Sequence, residues 1–282
     1  MKKEYYYLVA GLPDLFIDTS KVSLSVKDFK DFLINELTRE DYDIIKSHFF
    51  RYDNQNLLNL LQKAEKAWNT KANLSESDFE MVFEYLKEET PEKIPAAIPS
   101  YLTRFIVAFK EETALISNKS WENQITELYY EYLLSQNNEF IRNWYTFERD
   151  LNNILTAYHS RKYQISIEPE LIGNSELNDK LARSSAKDFS IGNEFPRIDE
   201  ILRTFDETNF PEREKKTDLI KWEYLNESTF FHYFTIERIF AYVQKLEIIE
   251  RWLNLDKETG QELFNKLLSE METSKKFPEE FS

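Results

Sequence analysis

The chain has 282 residues, no cysteine, only four glycines and a formal net charge of −15. No disulfide, thiolate nucleophile or Cys-ligated zinc is possible. Gly-rich phosphate loops and tight-turn β architectures are disfavoured, and the charge repels nucleic-acid backbones and anionic lipid surfaces from the chain as a whole.

The opening MKKEYYYLVAGLPDLFID places two lysines before a short apolar stretch broken by Gly11, Pro13 and Asp14. That stretch is shorter than a signal-peptide core, and no later run reaches the ~18–20 apolar residues of a membrane span. The expectation is a cytosolic, uncleaved chain. Leu24–Leu37 has helical spacing, with Ser25 as N-cap. Asp41–Phe50 and Asn54–Trp68 read as two further helices, the second with a wide apolar stripe. Ser75 or Ser77 starts another, which stops near Thr90 because a residue before proline is pushed out of helical geometry.

Pro91, Pro95 and Pro99 mark a hinge or lobe boundary, since three prolines cannot share one helix. Ile98–Leu115 is helical again. Trp121–Lys162 carries apolar residues at a mean step of about 3.7 and predicts a rod on the order of 60 Å if unbroken. A bend is expected at Gln136-Asn137-Asn138. Ile165–Lys216 is polar and proline-punctuated, with short helices at Leu177–Ser184 and Ile198–Thr204. Helical spacing returns from Asp218 to Leu255. Gly260 reads as a turn or cap, Leu263–Met271 as a closing helix, and the last residues as frayed. Only Tyr5–Val9 and Ile165–Ile167 look strand-like, so the class is all-α. Three lobes are expected, at 1–95, 96–205 and 206–282, free to interleave as one unit.

One string occurs twice. Phe50, Asp53, Asn56, Leu57 and Leu58 correspond to Phe147, Asp150, Asn153, Ile154 and Leu155, every pair at the same offset of 97 residues. Such recurrence suggests a duplicated helical unit. Asp53 is a candidate N-cap; Asp150 falls inside a long helix, where capping does not explain it. Each Asn, flanked by aliphatic residues, is expected at an interface, its amide satisfying a backbone group that burial makes costly to leave unpaired. Asp53, Asn56, Asp150 and Asn153 are thus structural motif residues.

No catalytic constellation is evident. His48, His159 and His232 are the only histidines, none in a zinc or di-iron spacing. No P-loop, dinucleotide fingerprint or nucleophile elbow occurs. Glu247 and Glu250 share a helix face and could bind Mg²⁺ or serve acid–base work, but with 51 acidic residues such pairs arise by chance, and a solvated face is the simpler reading. No catalytic residue, cofactor or metal ligand is therefore assigned. A carboxylate-based metal enzyme is the least favoured alternative.

The duplicated string resembles the helical repeat of the V/A-type ATPase rotor subunit called C in prokaryotes and d in eukaryotes, whose members carry acidic-x-x-Asn-Leu strings in long helices. The segment ERIFAYVQKLEIIERWLNLDKETGQELFNKLL, from Glu237, is similar to that family's last repeat, with Glu250 and Arg251 where an Asn-aliphatic pair would stand. The opening YYYLVAGLPDL is similar to domain-of-unknown-function family 2764, a group encoded beside V-type ATPase genes. The resemblance implies a funnel of three pseudo-repeated helical lobes, peripheral on the cytoplasmic face of the inner membrane. It implies a non-catalytic rotor subunit that couples the central stalk to the membrane proteolipid ring for ATP-linked H⁺ or Na⁺ transport, without nucleic acid. A helical adaptor or scaffold for unrelated partners is the alternative.

Overall fold

The computed structural model describes residues 3–274, with side chains in the final helix described as far as 256 and at 259. Among these residues the chain forms eleven α-helices and one 3-10 turn, and no strand. The helices are α1 (Tyr6–Ala10), α2 (Val26–Glu36), α3 (Arg39–Leu61), α4 (Glu76–Lys87), α5 (Ser100–Lys110), α6 (Trp121–Leu134), α7 (Glu139–Tyr163), α8 (Glu176–Arg183), α9 (Ile198–Phe205), α10 (Phe210–Ser228) and α11 (Ile236–Ser274). The all-α expectation holds, and the strand-like Tyr5–Val9 stretch lies mostly within α1. Tyr5 anchors it by donating its backbone N–H to Phe234 O at 2.6 Å.

Helix starts follow local chemistry. Ser25, Ser75, Ser120 and Ser175 each accept a backbone N–H from the first turn of α2, α4, α6 and α8, and Ser75 completes a capping box with Asp78. The Pro91–Pro99 stretch forms the 3-10 turn Pro91–Lys93 and then the start of α5, with Pro99 as its N-cap. The short helices foreseen after Ile165 are α8 and α9.

Several boundaries differ from the sequence reading. Asp41–Phe50 and Asn54–Trp68 are not two helices: α3 runs unbroken through Asp53, starting from a Thr38 cap and stopping at Leu61. The segment lacks Gly and Pro, so nothing interrupts it. Lys63 then turns left-handed (φ 53) and Ala64 N–H returns to Asn59 O, leaving Trp68 to fold back onto Phe79. The expected bend at Gln136-Asn137-Asn138 is a full break that makes α6 and α7 a helical hairpin. It spans residues 135–138, where Asn138 caps α7 through Ile141 N–H and Arg142 bonds Gln136 O at 2.7 Å. Helix α10 begins earlier than expected, at an Asn209 cap with Pro211 in its first turn.

Residues 229–235, an aromatic run without helical spacing, separate α10 from α11. Bonds from Lys245 to Asn226 and from Trp252 to Asp218 make these two helices an antiparallel hairpin. Gly260 is no turn: the backbone of α11 passes through it. The packing of Leu263–Met271 and the fraying of the last residues lie outside the described side chains and residues.

The main core joins α2–α6, the first half of α7, and α11, around fully buried Phe29, Phe49, Phe105, Trp144, Tyr145 and Phe240. Burying each such side chain stabilises by about 1.5–3 kcal/mol. A second core lies between the later half of α7 and α8–α9, centred on Leu151, Ile154, Phe189, Ile201 and Phe205. Helix α7 belongs to both cores and ties them together.

Candidate functional site

A buried polar network lies where α3, α6, α7 and α11 converge. His48, fully buried, has Nε2 2.5 Å from Glu247 Oε2 and Nδ1 2.9 Å from Tyr145 Oη. The neutral Nε2–H tautomer satisfies both: it donates to the carboxylate and accepts from the phenol. Tyr52 Oη donates to the other Glu247 oxygen at 2.7 Å. Arg51 reaches Glu148 Oε2 at 3.4 Å, and Tyr130 donates to the same oxygen at 3.3 Å. Tyr129 spans to the Ser47 and His48 carbonyls.

Burial works against ionisation at Glu247, but His48, Arg51 and the Tyr52 hydrogen bond outweigh it and hold the carboxyl down to about 2. At Glu148 burial is likewise the largest influence and is outweighed by Arg51, so its pKa lies below the usual range. Burial pushes His48 down, which keeps the imidazole neutral. With His48 sealed from solvent, these groups cross-link α3, α6, α7 and α11. The expected solvated face at Glu247 and Glu250 is not what the structure shows. Glu247 sits in this network, and Glu250 accepts the Val26 N–H at 2.7 Å, at the start of α2, while pairing with Lys71 at 2.6 Å.

The four motif residues lie one to two turns further along α3 and α7. Asn56 Oδ1 accepts the Asn69 N–H at 2.9 Å and its Nδ2 donates to Asn69 O at 3.1 Å. Asn153 does the same to Ile172, at 2.9 and 2.8 Å. Each buried amide thus clasps both backbone groups of one residue in the loop that follows its helix.

The two Asp residues differ. Asp53 is not a cap; from mid-helix it accepts from the backbone N–H groups of Asn73 and Leu74 and from Asn73 Nδ2. Burial raises it to about 6 against those bonds and nearby Lys30. Lys30, itself lowered to about 8 by burial, donates to the Lys71 and Ala72 carbonyls of the same loop. Asp150 instead pairs with its neighbour Arg149 at 2.8 Å. That guanidinium packs over Gly173, whose φ of 82 suits glycine.

Sequence reasoning brought out the Asp and Asn residues but missed His48, Arg51, Tyr52, Tyr145, Glu148 and Glu247 as one cluster. A signal existed: His48–Tyr145 and Arg51–Glu148 share the motif's 97-residue offset.

Two surface features complete the picture. A groove of about 600 Å³ runs along the proline stretch between Leu86, Ile94, Val107 and Leu115. Exposed aromatics Tyr7, Phe230, Phe231 and Tyr233 lie on α1 and the α10–α11 connection. Among the described residues, no helix is long and apolar enough to cross a membrane, and no three His, Asp or Glu side chains group as a metal site.

No curated protein and no solved structure matches the chain. Residues 1–275 match the family described as Protein of unknown function (DUF2764), and the chain belongs to that family.

Proposed function

We propose that this chain is a non-catalytic coupling subunit, a stiff helical part that transmits force between other proteins. The observation that carries the reading is the buried polar junction of α3, α6, α7 and α11. There the charges of Arg51, Glu148 and Glu247 and the hydrogen bonds of neutral His48 hold helices together. A force-bearing part needs helices that do not slide past one another. Buried polar groups that bond one another fix register, because a displaced helix leaves them unpaired.

The specific form of the proposal is the rotor subunit of a V/A-type ATPase, peripheral on the cytoplasmic face of the inner membrane. It would seat on the proteolipid ring, receive the central stalk and couple ATP turnover to H⁺ or Na⁺ transport. Support for this form comes from the duplicated Asp-x-x-Asn string and the segment from Glu237. The three-lobed, pseudo-repeated funnel belongs to the same proposal.

The test is affinity capture of the tagged full chain from membranes solubilised in mild detergent. The expected result is co-purification of V/A-type ATPase stalk and proteolipid subunits, with uncoupled pumping on deletion. A complete, coupled ATPase assembled without this chain would overturn the rotor form. The adaptor alternative is favoured by the groove at Leu86 and Val107 and by the exposed Phe230 and Phe231. It predicts capture of other proteins and no ATPase subunit.

A further inference from the structure

Two cations of the α11 face, Arg238 and Lys245, line one small pocket, and neither forms an ion pair with Asp14, the acidic residue of its lining. Arg238, Tyr242 and Lys245 recur at helical spacing on α11. With Asn226 of α10 and the crossing segment at Val9 and Leu12, they enclose about 180 Å³. Lys245 is 92% buried. Its ammonium has three donors, of which Asn226 Oδ1 takes one at 2.5 Å, and it rides over the Trp222 ring at 5.1 Å. Arg238 makes one long contact, to Thr229 Oγ1 at 3.5 Å.

Among the described residues, neither cation forms an ion pair, in a chain with 51 acidic side chains. Asp14 stands exposed at the pocket rim and pairs with neither. Burial and, to a smaller extent, Arg238 together lower Lys245 to about 8, and no carboxylate offsets either effect. A buried cation is ordinarily paired or neutralised, because its desolvation is costly. Here the unmet donors and the unmet charge both face a cavity.

We propose that this pocket binds a small anion, an inorganic oxyanion or a short-chain carboxylate, between Lys245 and Arg238. The volume lies below the ~300 Å³ at which ordinary organic-ligand pockets begin, which sets the size class. Lys245 is shielded from water beside Val9, Leu12 and Tyr242, which strengthens the attraction at that end of the pocket, while Arg238 stands exposed at the other. The acidic remainder of the surface repels anions, so this spot is distinct from its surroundings in sign.

The experiment is calorimetric titration of the full chain at fixed ionic strength with inorganic phosphate, sulfate, acetate and succinate as probes. Saturable one-to-one binding in the phosphate–sulfate arm identifies an oxyanion site, and binding in the acetate–succinate arm a carboxylate site. Arg238→Gln, at an exposed position, is expected to keep the melting temperature of the free protein and weaken binding on the order of tenfold, as loss of one charge-assisted contact does. Lys245→Met is expected to abolish binding and to melt higher without ligand, because it removes an unpaired buried charge. No saturable binding of any probe below about 10 mM overturns the proposal. So does unchanged affinity in Arg238→Gln, which stands alone if Lys245→Met does not fold.

Discussion

His48 and Tyr145 meet at 2.9 Å across 97 residues of sequence, and one turn further on Arg51 reaches Glu148 across the same separation. In a pair of antiparallel helices the sum of contacting residue numbers stays constant. Here the difference does, so α3 and α7 run parallel and in register. Tyr129 and Tyr130 of α6 pack beside this seam and bond to His48 O and Glu148. The offset is also that of Asp53 from Asp150 and Asn56 from Asn153. Those motif residues do not meet one another; each turns to the loop or neighbour beside its own helix.

The Arg51–Glu148 contact is expected to be worth more as a pair than either residue alone. Glu148 has 8% of its side chain exposed and Arg51 30%, so removing the arginine strands a carboxylate in low dielectric. Arg51→Met should cost roughly 3 kcal/mol, and Glu148→Ala less because the freed guanidinium keeps access to water. Replacing both by apolar residues, Arg51→Met with Glu148→Leu, should recover most of the loss. Urea midpoints of the four proteins give the coupling, and strictly additive losses would remove the argument.

The two asparagine clasps make a second expectation. Asn56→Ala and Asn153→Ala each free one backbone N–H and one C=O at a half-buried loop position. Each should cost about 2–4 kcal/mol, for two hydrogen bonds lost with their partners left unsatisfied. Amide hydrogen exchange adds a local readout. Protection should fall at Asn69 in the first variant and at Ile172 in the second, and not the reverse.

What could be read from sequence followed what is local. Serine caps, proline stops and 3.6-residue spacing depend on neighbours a few positions away, so α2, α4, α8 and α9 were legible. The Asn56 and Asn153 roles were legible because an amide flanked by aliphatic residues in a helix has few other uses. The turn after Leu61 was not, since no Gly or Pro marks it and Lys63 adopts φ 53 instead. The break at 229–235 was masked by aromatic residues that helix and connection both accept. The His48–Glu247 junction joins residues 199 positions apart. Glu247 among 51 acids carries no local mark of burial; only contact with α3 singles it out.

Asp53 and Asp150 match in sequence but should respond differently to the same change. Asp53 accepts from three donors with both oxygens, and an amide in its place turns an NH₂ towards N–H groups. Asp53→Asn should cost about 2–4 kcal/mol. Asp150 is also largely buried, but it meets only the adjacent Arg149; an Asn keeps one acceptor for that guanidinium and sheds a charge that burial disfavours, so Asp150→Asn should stay within about 1 kcal/mol of the parent. Thermal melts of both variants decide it. Equal losses would mean that the loop bonds to Asp53 contribute little.

Glu247 sets the acid limb of the stability curve. Its folded pKa of about 2 lies below the ordinary 4.5, so between those values the unfolded chain binds more protons and stability rises with pH. The contribution is complete above about pH 5, on the order of 3 kcal/mol, and is lost as pH falls towards 2. Asp53 acts with the opposite sign. Its folded value of about 6 lies above 3.8, so its share of the stability declines as pH rises through that interval. Glu247→Gln should therefore be less stable than the parent at neutral pH, with the gap closing on acidification. Asp53 is common to both proteins and cancels in the difference. Urea denaturation of both proteins from about pH 7 to pH 3 measures the gap. A difference that stays constant over that range would show that the carboxylate charge is not what holds α11 against His48 and Tyr52.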